Sequence, residues 1–170
     1  MSGPEVIPER HDGRAEALPD ALLDGDRPVV LRGVVGHWPM VQAARAGAAS
    51  AAEYLRGFLR PDAAPVVATV GPPEIQGRFF YNDDLRGFNF RREHVPLDVV
   101  LRTLLREAAS AAPPSIYVAS TTVDTWLPGF RSENPLDFGP RDPLASIWIG
   151  NRSRIAAHQD VPDNLACVVA

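Results

Sequence analysis

The sequence predicts an α+β fold in which N-terminal helices cover an antiparallel sheet or barrel. Helical patterns dominate the early part of the chain, and β-type runs crowd its C-terminal part. No regular alternation of strands and helices, as a parallel sheet would need, runs along the sequence. The 170 residues, 45% of them hydrophobic and 22% charged, have the size and composition of one globular domain.

The clearest predicted helix begins at Pro96. Its apolar residues recur three and four positions apart and so share one face; they are Leu97, Val100, Leu101, Leu104, Leu105 and Ala108. Proline suits the first helical position, because the N–H that it lacks has no partner there, and Pro113 ends the segment. A second helix is predicted over residues 50–60, with Ser50 as its N-cap and Pro61 as its stop.

Short runs rich in β-branched and aromatic residues predict strands. These runs are residues 28–33, 65–70, 78–81, 115–120, 145–149, 154–160 and 164–169. Residues 127–143 are rich in Pro, Gly and Asp and predict a long loop. Residues 1–17 are expected to form a flexible lead-in, which leaves one domain over residues 18–170.

Composition argues against several classes of site and partner. All 17 basic residues are Arg, so no Schiff-base lysine is available, and the single cysteine, Cys167, allows neither an internal disulfide nor a multi-cysteine zinc site. The net charge of −4 and the lack of a basic stripe argue against a nucleic-acid partner. No apolar stretch approaches the roughly 20 residues of a membrane span, so we expect a cytoplasmic protein without a membrane partner.

Two adjacent arginines, Arg91 and Arg92, follow Phe88 and Phe90. Arginines beside aromatic residues are one pattern of nucleic-acid binding, but in an acidic chain a solvated surface is the simpler interpretation. We interpret the two phenylalanines as packing residues.

His158 and Asp160 are the residues with the clearest candidate chemistry. On a strand over residues 154–160, side chains two positions apart point to the same face, so this imidazole and this carboxylate would project together. Two His and one carboxylate around open positions form the facial triad of non-haem Fe(II) oxygenases. The spacing alone is a weak signal, and ordinary hydrogen bonding near a strand end remains the alternative.

Several further motifs accompany this pair in a recognisable order. They are Trp148-Ile149-Gly150, His158-Gln159-Asp160, Asp163-Asn164 and the apolar run 165–169, with Pro28-Val29-Val30-Leu31-Arg32-Gly33 and Trp38-Pro39 in the N-terminal half. This order resembles the cupin-like branch of the JmjC-type oxygenases over roughly residues 18–170. The resemblance implies an antiparallel double-stranded β-helix, Fe(II) as the metal, 2-oxoglutarate as co-substrate, and hydroxylation of a substrate.

Residue by residue, the resemblance implies that His158 and Asp160 are the first two iron ligands. It places Tyr117 and Asn164 at the 2-oxoglutarate site. The family's threonine three residues before the His is Ile155 here, so that contact does not carry over. The family's third ligand, a His, and the basic residue that clamps the co-substrate carboxylate follow the H-x-D strand. We therefore expect the chain to be the N-terminal portion of a longer domain, with an incomplete β-helix and no activity alone.

An alternative of a different class is a non-catalytic cupin-like binding or interaction module, or a truncated relic of the enzyme. The resemblance does not identify the substrate, for which a protein side chain and a small molecule are both open. A homodimer is compatible with the family pattern.

Overall fold

An antiparallel sheet of four strands forms the centre of the fold. The computed structural model describes residues 6–11, 18–158, 160–161 and 164–170. Its strands are β1 (Glu9–Arg10), β2 (Val30–Leu31), β3 (Val66–Gly71), β4 (Arg91–Val95), β5 (Ser115–Thr122) and β6 (Ser146–Gly150). The order in the large sheet is β4-β3-β5-β6 with every pairing antiparallel, whereas β1 and β2 form a separate parallel pair.

Six α-helices and one 3-10 turn are present in the described residues. They are α1 (Asp20–Leu23), α2 (Pro39–Ala46), α3 (Ala48–Arg56), α4 (Leu97–Glu107), α5 (Val123–Trp126) and α6 (Phe130–Glu133), with the 3-10 turn at Pro73–Ile75. The helix predicted after Pro96 is confirmed as α4. The prediction of Ser50 as an N-cap is wrong, because α3 begins two residues earlier and its N-cap is Gly47.

The core lies between the helices and one face of the large sheet. Alternate residues of the strands point to this face because successive side chains of a strand point to opposite sides. Val118 of β5 and Leu127, which follows α5, are both 0% exposed. Leu97, Val100 and Leu101 of α4 pack in the same cluster, so the apolar face predicted for this helix is the face that it buries.

In the part of the chain that the structure describes, no helix layer packs on the opposite face of the sheet. The register places Arg92 of β4, Thr69 of β3 and Tyr117 of β5 side by side in one row across this face. Thr69 and Tyr117 are partly exposed, and Arg92 is exposed. This face borders the candidate site described below.

The two C-terminal strands predicted from the sequence are not observed. Among the described residues of 154–160 only Arg154 pairs, in an isolated bridge with Arg78, and residues 164–169 contain no strand. In the described residues these runs pair with no strand, although the outer edges of β4 and β6 are open, and Val169 packs against the core. The α+β prediction is confirmed as helices with a small antiparallel sheet, while the double-stranded β-helix stays a prediction.

Two other sequence predictions meet the structure only in part. Residues 28–33 contribute the two-residue strand β2, and residues 78–81 form no full strand. Tyr81 instead pairs with Phe88 in an isolated bridge, which closes a hairpin-like reversal over the turn between them. Strand β1 lies within the predicted lead-in, and the domain boundary at residue 17 stays a prediction. Among the described residues, no helix combines the length and the apolar character that crossing a membrane requires.

We expect Leu127→Ala to lower the free energy of unfolding by about 3 kcal/mol, because it removes buried methyl groups and leaves a cavity. Urea unfolding followed by circular dichroism measures this loss. Leu144→Ala is the matched control, since Leu144 is 80% exposed and its truncation should change the stability by less than about 0.5 kcal/mol. Equal losses in the two variants would contradict the assignment of Leu127 to the core.

Candidate metal site

The segment that carries His158 leaves the sheet through a turn held by Asn151. The Asn151 Oδ1 atom accepts a 2.8 Å hydrogen bond from the backbone N–H of Ile116. Its Nδ2 donates to the carbonyl of Pro114 at 2.9 Å. A single side chain therefore attaches the chain after β6 to the start of β5, which lies in the middle of the sheet.

On the other side of the turn, this segment packs against Gly77. The Arg154 N–H donates a 2.8 Å hydrogen bond to the carbonyl of Gly77, whose own N–H donates to the Ser115 Oγ at 2.9 Å. A Cβ atom on Gly77 would lie 2.0 Å from the carbonyl oxygen of Arg152, and the residue has a φ of +81°. Only glycine combines this backbone angle with so close an approach, so Gly77 allows residues 152–154 to pass against the loop before β4.

His158 and Asp160 lie together at the end of this path. The His158 Nε2 and the Asp160 Oδ1 are 3.3 Å apart, and the two side chains are 59% and 52% exposed. The His158 Nδ1 lies 2.8 Å from the carbonyl oxygen of Ala156. The second carboxylate oxygen of Asp160 accepts a 2.9 Å hydrogen bond from the Asn164 Nδ2.

These contacts determine which atoms can bind a cation. A carbonyl oxygen can only accept, so the Nδ1 of His158 carries a hydrogen, and the neutral ring then presents a lone pair at Nε2. That lone pair faces a carboxylate lone pair at 3.3 Å. Two acceptors at this distance repel each other unless a proton on the imidazole or a cation between them supplies positive charge.

The donor pair fits a divalent metal. Two ligand atoms at right angles, each about 2.1 Å from a metal, are about 3.0 Å apart. The His158 Nε2 and Asp160 Oδ1 atoms, observed 3.3 Å apart, would therefore have to approach by a few tenths of an ångström to bind one metal in this way. In addition, each ligand is oriented through its second polar atom, as is usual for metal-bound His and carboxylate groups. Within the described residues, no cluster of three or more His, Cys, Asp or Glu side chains is found.

The strand prediction for these two ligands is wrong even though their side chains do meet. His158 and Asp160 lie outside any strand of the described residues. Their proximity comes from local hydrogen bonds to Ala156 and Asn164 instead of from the two-residue period of a strand. Gln159, between them, lies outside the described residues.

A cavity of about 450 Å³ adjoins His158 on the exposed face of the sheet. Thr69, Arg92 and Tyr117 line its floor from three neighbouring strands. The remaining wall is aromatic and aliphatic, and consists of Phe79, Phe80, Tyr81, Phe88, Phe90, Ala119, Ile155, Ala156 and Ala157. The cavity is therefore mainly apolar, with an imidazole, a phenol, a hydroxyl and a guanidinium among its polar groups.

Tyr117 occupies the part of this floor opposite Gly150. The two residues are partners in the register of β5 and β6. A Cβ on Gly150 would lie 3.2 Å from the Tyr117 Cδ2 and 2.7 Å from the carbonyl oxygen of Ile116, so the absence of a side chain leaves room for the ring. Burial, together with the negative charge of Asp160, raises the pKa of the Tyr117 phenol, which therefore stays a hydrogen-bond donor at neutral pH.

The structure brings two of the four predicted site residues, His158 and Tyr117, to this cavity. Asp160 lies 3.3 Å from His158, and Asn164 joins them through Asp160. The sequence predicted a solvated surface for Arg92, and the structure shows this residue exposed while it also lines the floor of the cavity. The two phenylalanines interpreted as packing residues, Phe88 and Phe90, do stack at 4.8 Å between centroids. They also form part of the cavity wall, and their two-residue spacing in the sequence was the available signal.

Comparison with known proteins gives one family. The family model described as "Cupin-like domain" matches residues 15–170. No curated protein matches the chain significantly.

We expect Gly77→Ala to destabilise the protein by about 3 kcal/mol, because the new methyl group meets the Arg152 carbonyl in addition to the backbone strain. Gly139→Ala is the matched control, since Gly139 also has a positive φ (+62°) but no atom within 4 Å of an added Cβ. Its cost should be about 1 kcal/mol, from backbone strain alone. Thermal or urea unfolding measures both, and equal costs would show that residues 152–154 do not pack against Gly77.

Proposed function

The chain belongs to the cupin-like domain family, and from this premise we propose that it forms part of an Fe(II)- and 2-oxoglutarate-dependent hydroxylase. The observation that carries the proposal is the approach of His158 Nε2 and Asp160 Oδ1 to 3.3 Å. A divalent cation satisfies both atoms at once. The substrate in this proposal is a small molecule or a protein side chain.

His158 and Asp160 would hold the metal through Nε2 and Oδ1. The carbonyl of Ala156 keeps the imidazole in the tautomer that can coordinate, and the Asn164 amide keeps one carboxylate oxygen turned away from the metal. These two residues supply two of the three protein ligands in the family pattern.

Bound Fe(II), with 2-oxoglutarate and O₂, supplies the oxidising power for hydroxylation of a C–H bond. Tyr117 would donate a hydrogen bond from its phenol to an oxygen of the co-substrate; this phenol is protonated at neutral pH, and burial raises its pKa further. Asn164 already donates one N–H to Asp160, so it serves the site mainly by orienting that ligand. The aromatic wall of the cavity excludes water from the reacting groups.

We further propose that the four-stranded antiparallel sheet is part of a double-stranded β-helix. Its outer strands, β4 and β6, each have one unpaired edge within the described residues. Further strands can be added at these edges by ordinary antiparallel pairing, as closure of such a fold requires. If the chain forms a homodimer, we propose that one of these open edges pairs with a second copy of the chain.

A second candidate function is a cupin-like binding module without catalysis. It is favoured by the absence of a three-residue metal-binding cluster among the described residues. In that case the 3.3 Å contact of His158 and Asp160 would be an ion pair with a protonated imidazole. Metal titration separates the two candidates.

We expect the full chain to bind Fe(II) anaerobically and, with 2-oxoglutarate added, to develop the weak visible charge-transfer band of a chelated keto acid. His158→Ala and Asp160→Ala should each lower the Fe(II) affinity by at least about tenfold, because each removes one of two protein ligands. Isothermal titration calorimetry measures the affinity, and absorbance measures the band.

His94→Ala is the matched control for this experiment. His94 is exposed on β4 and is not part of the cavity wall, so its removal should leave the Fe(II) affinity unchanged. Equal affinities in His158→Ala and the unmodified protein would exclude His158 as a ligand. Absence of metal binding in the folded, unmodified chain would favour the binding module.

We expect Asn164→Ala to weaken Fe(II) binding by about tenfold, because it removes the hydrogen bond that orients the Asp160 carboxylate. The loss should be smaller than in Asp160→Ala, which removes the ligand itself. Asn82→Ala is a control amide substitution in the turn between Tyr81 and Phe88; Asn82 does not line the cavity, and its Oδ1 accepts from the Gly87 N–H. An Asn164→Ala protein with unchanged metal affinity would rule out the positioning role.

A further inference from the structure

A row of three polar residues crosses the floor of the cavity next to the candidate metal site. Arg92 pairs with Thr69 in the β4–β3 register, and Thr69 pairs with Tyr117 in the β3–β5 register. Directly opposed residues of antiparallel strands share a face, with Cβ atoms about 5 Å apart. The guanidinium, the hydroxyl and the phenol are therefore neighbours on one surface, and all three side chains line the cavity.

Arg92 differs from its sequence neighbour in how its charge is satisfied. Arg91 points to the other side of the strand and is paired with Glu93. Arg92 makes no ion pair or side-chain hydrogen bond among the described residues, and no acidic side chain lines the cavity with it. A guanidinium has a rigid fork of donors that matches a carboxylate, so an exposed Arg at the edge of a mainly apolar cavity, without an internal partner, favours an anionic ligand.

The wall beside this row is built from aromatic rings. Phe88 stacks on Phe90 at 4.8 Å and on Tyr81 at 5.2 Å, and Phe79 meets Phe90 edge-on at 5.6 Å. Phe88 is nevertheless 53% exposed, so one side of this stack is open. Open aromatic faces of this kind bind flat apolar groups through stacking and through the removal of apolar surface from water.

We propose that the cavity binds an aromatic carboxylate as the substrate of the hydroxylase. The carboxylate lies on Arg92 and Thr69, and the ring lies against the stack that includes Phe88 and Phe90. The cavity volume of about 450 Å³ is within the usual range of small-molecule sites, about 300–1,000 Å³. Because His158 lines the same cavity, a ligand held in this way shares the cavity with a residue of the candidate metal site.

That the ligand is a substrate rests on the proposed function, but its binding can be measured without metal or turnover. The probe is phenylacetate, and phenylacetamide is its neutral counterpart with the same ring. Isothermal titration calorimetry on the metal-free full chain should show that phenylacetate binds more tightly than phenylacetamide. Arg92→Gln should weaken phenylacetate binding by about tenfold, and Thr69→Val by about threefold, with little effect on phenylacetamide.

Arg91→Gln is the matched control, because it removes the same charge from the adjacent residue on the other side of β4. It should leave phenylacetate binding within about twofold, since the solvent screens its more distant charge. Equal effects of Arg91→Gln and Arg92→Gln would overturn the proposal, as would equal binding of the acid and the amide. Circular dichroism shows whether each variant is folded. If Arg92→Gln does not fold, Thr69→Val still tests the proposal, because it replaces only one hydroxyl with one methyl group.

A second arm of the experiment uses 2-oxoglutarate, the other carboxylate that this site could receive. If Arg92→Gln weakens the binding of 2-oxoglutarate and phenylacetate does not bind, the row serves the co-substrate and the aromatic substrate is excluded. Arg92→Gln should retain the Fe(II) affinity of the unmodified protein. If His158→Ala loses Fe(II) binding and still binds phenylacetate, both proposals are supported. If the unmodified chain binds phenylacetate but not Fe(II), only the hydroxylase proposal is contradicted.

Discussion

One backbone hydrogen bond, from the Arg154 N–H to the Gly77 carbonyl at 2.8 Å, determines where the candidate ligands lie. After β6 the chain has no further strand in the described residues, so regular pairing does not guide it. The contact at Gly77 directs it across the exposed face of the sheet instead. Asn151 holds the other end of the turn, and His158 then reaches the cavity four residues after Arg154. The site therefore depends on a glycine and an amide that are not themselves ligands.

The two faces of the large sheet have different environments because helices cover only one of them. On the covered face, alternate residues such as Ala68 and Val118 are buried in the core. On the other face, the same strands present Thr69 and Tyr117 to a cavity. The period of two that makes a strand amphipathic thus separates the stabilising residues from the candidate binding residues. Substitutions at the cavity floor can alter binding with little cost to the core.

Sequence patterns predicted the parts of the fold that depend on local chemistry. Helix α4 shows a strong apolar period and a proline at its start, and it forms where those signals place it. Strands β3, β5 and β6 occur where β-branched runs predicted them. Residues 154–160 contain only one β-branched residue, and neither this run nor residues 164–169 form a strand in the described residues, although the outer edges of β4 and β6 are open. Propensity could not reveal which runs would pair with those edges.

The sequence by itself determined the candidate ligands, His158 and Asp160, and the α+β character of the chain, because these follow from residue type, order and period. Only the tertiary structure decided how the two ligands meet, through the Ala156 carbonyl and the Asn164 amide instead of through a strand. It alone placed Arg92 in the cavity, beside residues far from it in the chain. The reason is physical: strand register and loop contacts join distant segments, and no local pattern encodes which segments will be neighbours.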